Sequence, residues 1–174
     1  MVDLNKVYQE WLKKVSDPSL KQELKSIQEE PRKIADRFFK VIDFGTAGLR
    51  GELGAGTNFM NIYTVARATQ GIADYMNEHN MKSVAISYDS RYMSKEFAID
   101  TACVFAQNGI KSYLVSELQP TPVLSYIVRE LKCDVGIMIT ASHNPASYNG
   151  YKVYGNDGCQ VTSKMASDMK DCID

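Results

Sequence analysis

An α/β sandwich is predicted: a three-layer α/β/α domain built on a mostly parallel, mixed sheet, with an N-terminal helical arm before it. Three observations predict it. The runs SVAISY at 83–88 and DVGIMIT at 134–140 are short, apolar and bounded by turn residues, as strands buried on both faces are. Between and after them, apolar residues recur at helical spacing. The first 40 residues keep that helical repeat but carry more charge than the rest of the chain.

The arm comes first. Leu4, Val7, Tyr8, Trp11, Leu12 and Val15 share one face of an amphipathic helix. Asp17-Pro18 supplies an N-cap and a first-turn proline for a second helix running to about Glu30, and Pro31 opens a third that runs to about Lys40. Residues 1–40 are therefore read as an arm packed on a body spanning 41–174. In DFGTAGLRG, Gly45, Gly48 and Gly51 read as a loop that Gly54 and Gly56 continue. Helical periodicity returns over 61–80, followed by the strand at 83–88. A helix over 94–108, closed by Gly109, leads to a strand near 113–115. Pro120 and Pro122 open a further helix ahead of the apolar strand at 134–140. Beyond the loop at 141–150, YKVYGNDGCQV reads as a hairpin turning at Asp157-Gly158, and a helix over 163–173 ends the chain. No internal repeat and no low-complexity linker divides it.

Composition narrows the function classes. A chain of 174 residues with 44% hydrophobic and 24% charged residues can bury a real core. No stretch approaches the roughly 18 apolar residues of a membrane span. A net charge of −1 and a pI near 6.1 leave no basic footprint, so neither nucleic acid nor membrane is an expected partner. Cys103, Cys133, Cys159 and Cys172 lack paired spacing and read as reduced, mostly buried thiols. MVDLNKVYQEW has neither the basic nor the apolar region of a secretory signal, so a cytoplasmic location is expected.

Ligands of open α/β sheets gather at the carboxyl ends of the strands. Three polar loops are candidates to meet there: TASHNPASYNGYK at 140–152, YDSR at 88–91 and the glycine-rich DFGTAGLRG. In the first, Ser142, His143, Asn144 and Lys152 emerge within one turn of a buried strand. A serine hydroxyl there can attack phosphorus, while Arg50 and Lys152 supply cationic donors to phosphoryl oxygens. Asp89 and Arg91 read as a pair bracing their loop, and His79 as a surface residue near a helix end. A serine hydrolase fits poorly, because adjacent Ser142 and His143 are badly placed to bond each other and no G-x-S-x-G elbow is present. GTAGLRG also lacks the P-loop and dinucleotide-binding glycine patterns. A non-catalytic phosphate-binding module stays open as an alternative.

TASHNP followed by NGYK, together with DFGTAGLRG and YDSR in the same order, resembles the α-D-phosphohexomutase family. GTAGLRG with NGYKVYGNDG is most similar to its phosphoglucomutase and phosphopentomutase branch. The resemblance implies an isomerase of carbohydrate metabolism that interconverts sugar 1-phosphate and sugar 6-phosphate, glucose first among the sugars, through a phosphoserine and a bisphosphate, with a phosphopentomutase or a phosphomannomutase of the same family as the alternatives. It implies Ser142 as the phosphoryl carrier and, through its phosphate, one ligand of Mg2+. His143 and Lys152 are implied as aids to proton transfer that steady the phosphate, and Arg50 as the arginine set against the phosphoserine. Asn144, Asn149 and Gly150 shape the loop. Glucose 1,6-bisphosphate is the implied activator and intermediate. The partners implied are a sugar phosphate and the remaining domains of the same polypeptide.

The aspartate-rich magnesium loop and the sugar-recognition loops of such enzymes are absent from these residues. Metal and substrate positioning together supply much of the rate, positioning alone roughly 7–11 kcal/mol. By itself the chain is therefore expected to interconvert glucose phosphates negligibly.

Overall fold

The computed structural model describes residues 3–46 and 48–173. Ala47 of the glycine-rich motif and the outermost residues of the two expected segments, Met1, Val2 and Asp174, lie outside them.

The arm is three helices, α1 (Leu4–Lys14), α2 (Pro18–Ser26) and α3 (Pro31–Phe38). Asp3 caps α1, its carboxylate accepting the Asn5 and Lys6 N–H groups at 3.1 Å. Asp17 caps α2 through the Leu20 N–H at 2.9 Å. α2 stops at Ser26 rather than near Glu30, because Ile27 leaves helical geometry and Pro31 bars a helical residue before it. α3 stops at Phe38, short of Lys40.

Tyr8, Leu24, Ile27, Ile34 and Phe38 form a small core of the arm's own, with Trp11 edge-on to Phe38 at 5.7 Å. It is tied to the body at polar points. Glu23 pairs with Arg37 at 2.7 Å and accepts the Ala55 N–H at 2.9 Å. The Tyr63 hydroxyl accepts the Ser16 N–H at 2.8 Å.

The body follows as β1 (Gly48–Glu52), α4 (Ile62–Glu78), β2 (Ser83–Tyr88), α5 (Ser94–Gln107), β3 (Lys111–Leu114), α6 (Thr121–Glu130), β4 (Val135–Ile139), β5 (Tyr148–Gly155) and α7 (Ser163–Ile173). Its sheet runs β1-β5-β4-β2-β3. β4, β2 and β3 are parallel, while β5 pairs antiparallel with both β4 and β1. The sheet is the mixed one expected, covered on both faces. Val84, Ile86, Ile137 and Tyr151 pack with Phe97, Phe105 and Met169 in the layer of α4, α5 and α7. Ala85, Met138 and Tyr154 pack with Leu124 and Val128 of α6 on the other face. Phe97 and Phe105 are wholly buried; each such side chain contributes about 1.5–3 kcal/mol.

Two segments differ from the sequence reading. Half of the glycine-rich stretch is not loop but edge strand β1. The segment read as a hairpin is instead β5, which inserts between β1 and β4. Asp157-Gly158 does turn the chain, Asp157 Oδ1 accepting the Cys159 N–H at 2.9 Å, but only the Tyr154–Gln160 bridge follows it. Of the cysteines, only Cys133 is fully buried, while Cys103 and Cys159 are exposed. No helix among the described residues is long and apolar enough to cross a membrane.

Candidate active site

From β2 the chain crosses to β3 through α5 on one face, and from β3 to β4 through α6 on the other. The connections therefore diverge between the carboxyl ends of β2 and β4, where an open sheet leaves a crevice. The loops after these two strands meet there, joined at the base by the Asp89 N–H donating to the Ile139 carbonyl at 3.1 Å.

Ser142 stands just past β4 with its side chain exposed. Asn144 N–H closes the turn onto the Ala141 carbonyl at 3.1 Å. Ser142 takes φ 58°, the left-handed region that disfavours any residue with a Cβ. Thr140 Oγ1 holds it from one side by accepting the Ser142 N–H at 2.9 Å. His143, the next residue, is exposed and makes no hydrogen bond among the described residues.

Arg50 and Lys152 reach the crevice from β1 and β5. Their register pairs Arg50 with Gly150 and Gly48 with Lys152. Residues directly opposite share a face of the sheet, so each cation stands opposite a glycine and the two cations are diagonal neighbours on one face. Arg50 Nη1 donates to Asn144 Oδ1 at 3.0 Å, which draws the guanidinium onto the serine turn. Lys152 is half-buried; burial, then the charge of Arg50, push its pKa below the ordinary lysine value, and Asp89 offsets part of the shift. Among the described residues neither cation has a carboxylate within ion-pair distance. Two like charges on one face of the sheet, one of them bonded to the turn that carries Ser142, make a place for an anion.

The loop after β2 is tightly tied. Asp89 Oδ1 accepts the Arg91 N–H at 2.9 Å and the Ser94 hydroxyl at 2.7 Å. Asn149, fully buried, donates to the Tyr92 carbonyl and to Ser94 Oγ, both at 3.0 Å. The Asp89–Arg91 pair exists but is loose, at 3.6 Å; the guanidinium is aimed mainly at the serine turn. Thus Ser142, Arg50 and Asn144 converge, with Lys152 on Arg50's face of the sheet. Thr140 and the left-handed backbone at Ser142 had no sequence signal, since neither a preceding threonine nor a serine ordinarily announces positive φ.

That backbone predicts a stability ordering. Ser142→Gly is expected to be about 1–2 kcal/mol more stable than Ser142→Ala, because glycine has no Cβ to strain in this region. Urea unfolding of the two variants checks it, and equal midpoints would count against the strain.

The magnesium ion implied by the sequence resemblance does not find a full ligand set here. Among the described residues no three His, Cys, Asp or Glu side chains cluster to hold a metal, and Asp89 is spent on Arg91 and Ser94. The described residues alone therefore do not hold the ion.

Residues 41–174 match the family model described as phosphoglucomutase/phosphomannomutase, alpha/beta/alpha domain I. A phosphoglucomutase of Staphylococcus saprophyticus is 38% identical over 165 residues, covering 94% of this chain and 29% of the relative. A Schizosaccharomyces pombe protein described as a phosphoribomutase is also 38% identical, over 177 residues, covering 98% of this chain and 30% of the relative. A Thermus thermophilus crystal structure described as a phosphomannomutase superposes with a TM-score of 0.73 at 30% identity, covering 78% of this chain and 30% of that one. The chain thus spans less than a third of the length of these relatives.

Proposed function

The chain belongs to the phosphoglucomutase/phosphomannomutase family as its α/β/α domain I, and from that membership we propose that Ser142 carries the phosphoryl group of a phosphoglucomutase-type sugar-phosphate mutase. The observation that supports it most is the exposed Ser142 on a turn that Arg50 reaches through Asn144, with Lys152 on the same face of the sheet and neither cation within ion-pair distance of a carboxylate among the described residues.

In the forward step Ser142 Oγ attacks phosphorus of glucose 1,6-bisphosphate. The Oγ–P bond forms, the bond from phosphorus to the sugar oxygen breaks, and the serine proton passes to that oxygen as glucose monophosphate leaves. The phosphoserine then gives its phosphoryl to the free 6-hydroxyl of an incoming glucose 1-phosphate, whose proton passes back to Ser142 Oγ, and the bisphosphate so formed returns its 1-phosphoryl to Ser142 as glucose 6-phosphate leaves, which completes the exchange. Arg50 and Lys152 neutralise the phosphoryl oxygens, each charged hydrogen bond contributing about 1.5–3 kcal/mol. Lys152, its pKa lowered by burial and then by the charge of Arg50, and His143, exposed and next to the serine in the chain, are assigned the proton's transfer. Mg2+ would add charge neutralisation through the Ser142 phosphate. Its carboxylates and the sugar contacts are assigned to further domains of the same polypeptide, since the relatives are more than three times as long.

Incubating the chain with glucose 1,6-bisphosphate and measuring intact mass tests the assignment. A gain of one phosphate that Ser142→Ala abolishes is expected; no gain, or a gain that survives the substitution, overturns it. A pentose substrate is the second reading, favoured by the equal identity to the fission-yeast relative. Faster loading of the full-length polypeptide, which carries the sugar contacts, from ribose 1,5-bisphosphate than from glucose 1,6-bisphosphate would select it.

A further inference from the structure

We propose that Arg91 is the positioning residue of the phosphoryl-accepting serine, its guanidinium fixing the left-handed backbone that presents Ser142 Oγ to the crevice. The assignment rests on Ser142 as the acceptor, and Arg91 acts on it only through the turn.

A guanidinium has a planar fork of N–H donors. Here Nη1 donates to the Pro145 carbonyl at 2.9 Å and the Tyr148 carbonyl at 3.0 Å. Nη2 donates to the Ser142 carbonyl at 2.8 Å and the Asn144 carbonyl at 2.7 Å. Both terminal nitrogens are therefore committed to the serine turn, and Nε faces Asp89. The side chain is only 15% exposed. Ser142, Asn144 and Pro145 lie in no strand or helix and Tyr148 only opens β5, so the turn curls its carbonyls around the cation.

Ser142 is gripped at both of its peptide groups. Its N–H goes to Thr140 Oγ1 and its carbonyl to Arg91. Fixing both groups fixes the φ and ψ between them, which holds a conformation that a serine otherwise avoids. The grip is anchored to the sheet: the Arg91 N–H bonds Asp89, whose own N–H bonds the end of β4. With its hydrogens spent on carbonyls, Arg91 has none to offer a phosphate. Its role differs in this way from that of Arg50, which holds only Asn144.

A lysine at 91 keeps the charge but not the fork, since one ammonium cannot span four separated carbonyls. The test compares the wild-type chain with Arg91→Lys and Arg91→Gln, each made both alone and together with Ser142→Gly. With Ser142 retained, amide exchange across 141–148 is expected to rise about tenfold or more in both variants, while α4 and the parallel strands keep wild-type protection. Combined with Ser142→Gly, the rise is expected to shrink to a few-fold, because glycine needs no help at positive φ. Phosphoryl loading from glucose 1,6-bisphosphate is expected to fall at least tenfold in Arg91→Lys. The proposal is overturned if lysine restores both exchange and loading, or if the rise is equal in the two backgrounds. If the wild type takes no phosphate, the Ser142 assignment fails, while the exchange comparison still decides the role of Arg91.

Discussion

Gly48→Ala is expected to strip β1 from the sheet and lower stability by about 3–5 kcal/mol. A Cβ at position 48 would stand 1.8 Å from the Tyr151 carbonyl oxygen and 2.8 Å from its carbon, both backbone atoms of β5. No side-chain rotation relieves that clash. Gly48 also has φ +138°, a region essentially reserved for glycine. β1 has one neighbour, β5, so the strand yields before the sheet does. Its departure unburies Leu49, 4% exposed, at about 1.5–3 kcal/mol, and the strain adds about 1–3 kcal/mol. Amides of 48–52 should then exchange freely while β2 and β4 stay protected. Gly109→Ala is the control: its φ is +73° but nothing lies within 4 Å of the added methyl, so about 1 kcal/mol is expected. Equal unfolding midpoints for the two variants would sink the account. The functional cost is the loss of Arg50 from the serine turn.

The same strand shows where sequence reading stopped. Elements with strong local signals, such as the apolar run of β2 and the Asp17-Pro18 start of α2, fall where periodicity and caps put them. β1 was hidden because Gly48 and Gly51 argue for a loop on propensity. They stand in a strand all the same: at 48 β5 passes so close that no side chain fits, and at 51 a Cβ would meet Ile42 Cδ1 at 2.7 Å. β5 was hidden for the converse reason: Asp157-Gly158 is a sound turn signal, yet the residues before it gain more by completing β4's second edge than by pairing with those after it. Both misreadings concern long-range pairing, which no local window contains.

The site was more legible than its supports. Ser142, Arg50 and Lys152 stand in motifs whose polarity next to an apolar strand already marks them. Arg91 reads as Asp89's partner, since opposite charges two positions apart in a loop suggest one another. Its four bonds to carbonyls 51 to 57 residues away appear only once β2 and β4 are neighbours.

Lys152→Met is expected to make the unphosphorylated chain more stable and, at the same time, weaken its binding of inorganic phosphate by about tenfold to a hundredfold. Burial first, and then Arg50, depress the folded-state pKa of Lys152 below its ordinary value of 10.5. Below that lowered pKa the folded and unfolded chains both carry the proton, and the full cost of the crowded cation is present. Between the lowered value and 10.5 the unfolded chain binds more protons, so the wild type gains stability as pH rises through this window. The advantage of methionine should therefore be largest near neutral pH and shrink toward about pH 10. Phosphate reverses the balance, because an anion between Arg50 and Lys152 favours the charged amine. Melting temperatures of both chains across that range, with and without phosphate, check each part. An advantage that does not change with pH, or an equal phosphate shift in the two chains, would show that the amine does not face the anion. The cation at position 152 thus destabilises the empty domain in order to hold a charged ligand, as expected of a residue kept for binding rather than for folding.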